Sequence, residues 1–179
     1  MRPRPSRNVD LTVTISDQLW HRSLRAPRRL ALEAAKAALD QASGRRASRI
    51  LRRGGEIGVL LADDEAIRAL NACWRGQDKP TNVLAFATAA DGPSERGGAG
   101  PSGLGDMIVA RETLIAEAAE RRIPRAHHLY HLVVHGVLHV LGYDHQTERD
   151  AATMEALETR ILAAAGIPDP YAVESAGNG

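Results

Sequence analysis

The chain has 179 residues, of which 44% are hydrophobic and 25% charged, with a net charge of +1, as in an ordinary soluble globular domain. Its one cysteine, Cys73, excludes an intrachain disulfide and suits a reducing compartment. No apolar run reaches the ~18 residues of a membrane span, and the charged residues 1–7 have no apolar segment behind them, so no signal peptide is expected and the cytoplasm is the default location.

Charge is unevenly spread. Residues 1–55 hold 13 Lys/Arg against 4 Asp/Glu, and residues 56–179 hold 10 against 18. The basic half includes Arg25, Arg28, Arg29, Arg45, Arg46, Arg49, Arg52 and Arg53. It is either a face for a polyanion or a solvated helix face. Aromatic residues for base stacking are nearly absent.

Residues 1–8 are expected to form a tail. Val9, Leu11, Val13 and Ile15 alternate with polar residues, which predicts a half-buried strand. An amphipathic helix follows over residues 27–41, with Pro27 at its start and Gly44 beyond its end. Residues 57–62 suit an inner strand. Asp63 or Asp64 then caps a helix running to Trp74, with Ile67, Leu70 and Asn71 on one face. Arg75 and Gly76 lie past that helix, Asp78-Lys79-Pro80-Thr81 is turn-like, and residues 82–86 read as a strand. An arginine on such a loop can grip a phosphate through two parallel N–H donors, with Lys79 adding a point charge; two exposed loop cations are the plainer reading.

Residues 87–103 are rich in Gly, Pro and Ser and predict a flexible, tolerated loop rather than a lid. A strand over 104–110 follows; its Asp106 either orders a histidine or caps the next helix. That helix covers 111–122 and stops at Ile123-Pro124. A further helix over 126–141 is apolar nearly all round apart from its histidines and Tyr130, and belongs at the centre of the domain. Thr147 and Asp150 resemble a capping box opening a last helix, with Met154, Leu157, Ile161 and Leu162 facing inward. The order β-α-β-α-β-β-α-α-α predicts an α+β or mixed α/β fold, a small sheet covered by about five helices. Residues 9–171 are expected to form one domain, with 172–179 as a second tail.

The central helix carries the chemistry. His135 and His139 are four residues apart, which stacks both imidazoles on one helix face. Gly142 can take the left-handed conformation that ends a helix, so that His145 turns back toward the pair. Three imidazoles suit Zn2+ and leave a fourth position for water, the mark of a catalytic site. His127, His131, His135 and His139 form a rival stripe at the same spacing. The turn after Gly142 favours His135, His139 and His145, since it brings a ligand from a second direction, leaving His128 and His131 to line the pocket or support the ligands. A zinc protease of the H-E-x-x-H type has a glutamate after its first histidine. Gly136 stands there instead and permits another element to pack closely.

The segment from His135 to His145, His-Gly-Val-Leu-His-Val-Leu-Gly-Tyr-Asp-His, resembles the H-G-x-L-H-L-x-G-Y-D-H signature of the YbeY family. Residues 74–86 resemble that family's Y-R-x-x-D-x-P-T-D-V-L-S-F block, and residues 104–109 its L-G-D-I-x-I segment. Trp74, Asn82 and Ala85 depart from the pattern, and Asn82 replaces the commoner aspartate. The resemblance runs over about residues 56–171. It implies a mixed four-stranded sheet with several helices and a metal-dependent, single-strand-specific endoribonuclease. That enzyme would mature small-subunit ribosomal RNA, notably at the 16S 3′ end, and serve ribosome quality control, with RNA and small-subunit assembly proteins as partners.

On this reading His135, His139 and His145 hold one zinc ion, Arg75 is catalytic and Lys79 helps to hold RNA. Asp144 orients a neighbouring imidazole or is simply a turn residue, and Tyr143 packs the turn. Two other classes remain open: a metal-dependent amide or ester hydrolase using the same histidines, and a non-enzymatic ribosome-assembly factor whose metal is structural.

Overall fold

The computed structural model describes residues 9–88 and 103–172. Residues 1–8 and 173–179, expected as tails, and 89–102, the body of the expected loop, lie outside the described residues. Eleven elements follow in order: β1 (Val9–Ile15), α1 (Trp20–Ser23), α2 (Pro27–Gln41), α3 (Arg45–Arg53), β2 (Gly55–Ala62), α4 (Asp64–Arg75), β3 (Val83–Ala87), β4 (Gly103–Ala110), α5 (Arg111–Glu120), α6 (Arg125–Val140) and α7 (Glu148–Ala164). They form a mixed α/β fold on a four-stranded sheet of order β1-β2-β4-β3. β1 and β4 pair parallel to β2, and β3 closes one edge antiparallel to β4.

The mixed sheet is as expected, but seven helices stand among the described residues where about five were expected. α1 is a four-residue turn held by the buried Trp20, whose indole N–H donates to the Ala62 carbonyl at 2.9 Å. α3 reads Arg-Arg-Ala-Ser-Arg-Ile-Leu-Arg-Arg. Its arginines hide an apolar stripe, Ala47, Ile50 and Leu51, and those three are its buried residues. So short an apolar signal inside a charged run is easily read as loop.

Caps set the other boundaries. Asp63 accepts from the Ala66 N–H at 2.9 Å and starts α4. Thr147 accepts from the Asp150 N–H at 3.1 Å and starts α7. Each satisfies an orphan donor of a first helical turn.

The two sheet faces differ. Ile57, Val59, Leu61, Met107 and Val109 point into the main core with α2 and α6. The opposite face carries a smaller cluster, Ala62, Leu84, Ile108 and Ala110, packed on Ile67 of α4. Alternation along β4 therefore decides the question of Asp106. Met107 faces α6, so Asp106 faces away from it, beside Gly58. Asp106 neither orders a histidine nor caps α5, whose N-cap is Ala110.

α6 lies between α2, β3 and β4 and buries Leu129, Val133, Val134, Val137 and Leu138 completely. Gly136 explains how close it comes to the sheet. A Cβ there would stand 2.4 Å from the Met107 methyl and 2.8 Å from its sulfur. The missing side chain thus seats the helix on β4, and a carboxylate there would have to displace the Met107 side chain.

Candidate metal centre

His135 and His139 project from one face of α6 into a cleft of about 400 Å3. Their Nε2 atoms are 3.0 Å apart. Gly142, with φ of +87°, turns the chain after the helix. His145 returns so that its ring centroid lies 5.0 Å from that of His139 and 6.1 Å from that of His135. The three histidines singled out by spacing therefore line one cleft. Ligand atoms of His139, Asp144 and His145 lie within 4.8 Å of one another, a group able to hold an ion, and His135 adjoins it through His139. Asp144 also fixes the turn, since its Oδ1 accepts the His145 backbone N–H at 2.7 Å.

The rival stripe does not meet in the cleft. His131 Nε2 lies 3.2 Å from Glu158 Oε2, and neither His131 nor His127 is among the residues lining the cleft. His128 is buried against Glu117, with Nε2 and Oε2 2.7 Å apart.

Glu158 of α7 is the functional residue that the sequence reading missed. It is fully buried. Its Oε1 lies 2.7 Å from His135 Nδ1, its Oε2 meets His131, and the Tyr171 hydroxyl donates to it. Burial raises its pKa, but hydrogen bonds from His131 and His135 outweigh that and hold it at about 2. A signal existed: Met154, Glu158 and Ile161 share the i, i+4, i+7 stripe on which α7 packs.

These contacts settle where the imidazole protons sit. The Tyr143 carbonyl can only accept, so His139 Nδ1, 3.1 Å away, carries a hydrogen. An ionised Glu158 likewise accepts from His135 Nδ1. In the neutral rings both Nε2 atoms are then bare lone pairs facing each other at 3.0 Å. A shared proton or a cation satisfies that arrangement. Burial, together with the charges of His135 and His145, lowers the His139 pKa and disfavours the proton. Two nitrogens on a tetrahedral zinc ion sit about 3.3 Å apart, from Zn–N bonds of ~2.05 Å. The residues fit a divalent cation, and the His145 side chain is 60% exposed, so solvent reaches the group.

Arg75, the last residue of α4, lines the same cleft, and Gly76 in the left-handed region turns the chain away behind it. The following loop is tied back to the helix. Arg68 grips Asp78 through two hydrogen bonds of 2.7 and 2.9 Å, and Asn71 donates to the Lys79 carbonyl at 2.8 Å. Lys79 is exposed on this loop, outside the lining of the cleft. Asn82 explains its own departure from aspartate. Its amide donates to both Glu117 oxygens at 3.1 and 3.0 Å, where an aspartate would oppose like charge. Burial raises the Glu117 pKa, but hydrogen bonds from His128 and Asn82 bring it below its ordinary value.

Fold and cleft together define a mixed α/β protein in which a histidine cluster able to hold a cation shares a cleft with an arginine. The sequence model of the family described as Endoribonuclease YbeY matches residues 15–166. The chain is similar to the Endoribonuclease YbeY of Rhodospirillum rubrum, 58% identical over 118 residues, which is 65% of this chain and 58% of that protein. Against the Endoribonuclease YbeY of Azorhizobium caulinodans it is 46% identical over 170 residues, 94% of this chain and all of that protein. A solution structure from Thermotoga maritima superposes with a TM-score of 0.47 at 19% identity, covering 86% of this chain and 90% of that one. The chain belongs to the YbeY family.

Proposed function

We propose that the chain is a metal-dependent endoribonuclease cleaving single-stranded RNA during ribosomal RNA maturation, notably at the 16S 3′ end, with His135, His139 and His145 as metal ligands. The observation that carries this is the pair of bare imidazole nitrogens facing each other 3.0 Å apart in the cleft that Arg75 lines. Membership of a family described as endoribonuclease gives the substrate class.

A divalent ion held there, zinc on this reading, supplies Lewis acidity at a phosphoryl oxygen and a water of lowered pKa. The chain does the rest. Glu158 keeps the proton on His135 Nδ1 and the Tyr143 carbonyl keeps it on His139 Nδ1, so each Nε2 faces the cleft. The Arg75 guanidinium pairs with the non-bridging oxygens of the scissile phosphate and stabilises the charge that builds there. Lys79 adds positive charge along the approach. Asp144 fixes the turn that returns His145. The amide hydrolase reading is weakened by Gly136, which carries no side chain where an H-E-x-x-H enzyme has its base. A purely structural metal is disfavoured by the exposure of His145. Residues 9–171 serve as the catalytic domain, working in the cytoplasm on ribosomal RNA beside small-subunit assembly proteins.

The test measures zinc per chain and cleavage of single-stranded RNA on the same samples. Wild type is expected to carry one zinc and to cut. His139→Ala loses both properties. Arg75→Ala keeps the metal and loses about 100-fold or more in rate, as for removal of one charge-stabilising donor. Unimpaired cleavage by both variants would refute the proposal.

A further inference from the structure

The cleft holds a second arginine that neither the metal site nor Arg75 accounts for. Arg46 comes from α3, far from the histidines in sequence, yet it lines the same cleft as Arg75, His135, His139 and His145. Its place is built. The Ser43 N–H donates to the Tyr143 hydroxyl at 2.9 Å, and that hydroxyl donates to the Ser43 carbonyl. This pair ties the start of α3 to the turn between His139 and His145. The Arg46 side chain then lies across Gly142: a Cβ on that glycine would stand 2.3 Å from Nε and 2.9 Å from Cζ. Gly142 is favoured for its φ of +87°, and its missing side chain also lets the guanidinium lie close to the backbone.

Arg46 is exposed and, like Arg75, has no ion-pair partner among the described residues. An exposed arginine held against backbone beside a cation site lacks a structural reason for its charge. Asp144 is the one carboxylate among the described residues lining the cleft. Arg49 and Arg53 follow Arg46 at i+3 and i+7, so the three share one face of α3 and carry positive charge away from the cleft along Val140.

We infer that Arg46 holds an RNA phosphate flanking the scissile one, so that the strand leaves the cleft along α3. This rests on the endoribonuclease reading and adds to it a substrate-positioning residue on an element outside the histidine and Arg75 blocks. Arg75 meets the reacting phosphate. Arg46 grips a neighbour that does not react, and so acts on binding rather than on the chemical step.

The experiment measures binding of a fluorescent, non-cleavable 2′-O-methyl single-stranded oligonucleotide across a salt series, beside cleavage of the matching RNA. Arg46→Ala is expected to weaken binding about tenfold, as for one lost charge-assisted contact. It should make the slope of log K against log salt shallower by about 0.7, and raise KM with kcat little changed. Arg46→Lys keeps the slope and recovers part of the affinity, since the charge stays but the fork is lost. Arg29→Ala, which removes a cation paired with Glu33 on the exposed face of α2, leaves binding and cleavage at wild-type levels. Wild-type affinity in Arg46→Ala overturns the inference. So does an equal loss in Arg29→Ala, or a binding loss accompanied by lost zinc or a lower melting midpoint. Wild-type protein that neither binds nor cuts RNA overturns the endoribonuclease reading itself; wild type that cuts while Arg46→Ala binds normally removes only the role of Arg46.

Discussion

Glu117 on α5 holds His128 and Glu158 on α7 holds His135, two histidines of the same helix α6 taken by opposite ring nitrogens. Glu158 takes His135 by Nδ1, which turns Nε2 toward the cleft. Glu117 takes His128 by Nε2, which leaves Nδ1 buried with no hydrogen-bond partner among the described residues. The same residue types, on the same helix, give a candidate ligand in one case and a core contact in the other. What separates them is which ring nitrogen the carboxylate engages and whether the other one meets solvent or protein.

The largest expected effect comes from breaking the ligand side. Glu158→Ala leaves the donors of His131, His135 and Tyr171 facing a void at a fully buried position. It should cost about 3 kcal/mol in denaturant unfolding. It should also weaken zinc binding about 10- to 100-fold in a competition titration, the usual effect of removing an orienting partner. Glu117→Ala is the contrasting case. It removes the acceptor for Asn82 and His128 at a part-exposed position and should cost about 1–2 kcal/mol. Zinc affinity should stay at the wild-type value. Equal loss of zinc in both variants would abolish the distinction drawn between the two glutamates.

The two sides were unequally legible in the sequence. His135, His139 and His145 were readable because their meeting is local: one helical turn, one glycine stop and a short return. The close approach at Gly136 was readable from the absence of a side chain where a base would otherwise stand. Arg75 was placed on a loop and lies at the very end of α4, a boundary shift of one residue. Glu158 was not found, because the histidines it meets come from a different helix. α3 was lost in its own arginines, and with it the route by which Arg46 reaches Gly142. The strand order β1-β2-β4-β3 depends on pairings between distant segments, which no local pattern encodes. Asp106 shows the same limit: its face was decided only once Met107 was seen against α6.

A smaller effect is expected from pH, and its sign follows from Glu117. Its pKa lies below the ordinary carboxylate value in the fold, because donation from His128 and Asn82 outweighs burial. The unfolded chain binds the proton more readily, so Glu117 contributes its full stability above the ordinary carboxylate range and loses it as pH falls through its lowered pKa. Urea unfolding of wild type and Glu117→Gln in acid should therefore converge as pH drops, with the wild type advantage restored by pH 6. A difference independent of pH would mean that the amide replaces the carboxylate in shape only.

The smallest expected effect is the sharpest test of what an idle histidine is worth. In His128→Leu the hydrogen bond to Glu117 is lost, but so is the desolvation cost of an unpartnered Nδ1, and Glu117 keeps both contacts from Asn82. The two terms oppose each other, so stability should change by less than about 1 kcal/mol, with zinc content unaltered. His135→Leu is the matched substitution on the same helix and should empty the zinc site. If His128→Leu lost zinc as well, the buried ring would have to act through Glu117 and Asn82, which precedes strand β3 and lines the cleft. The division of α6 into a ligand side and a packing side would then fail.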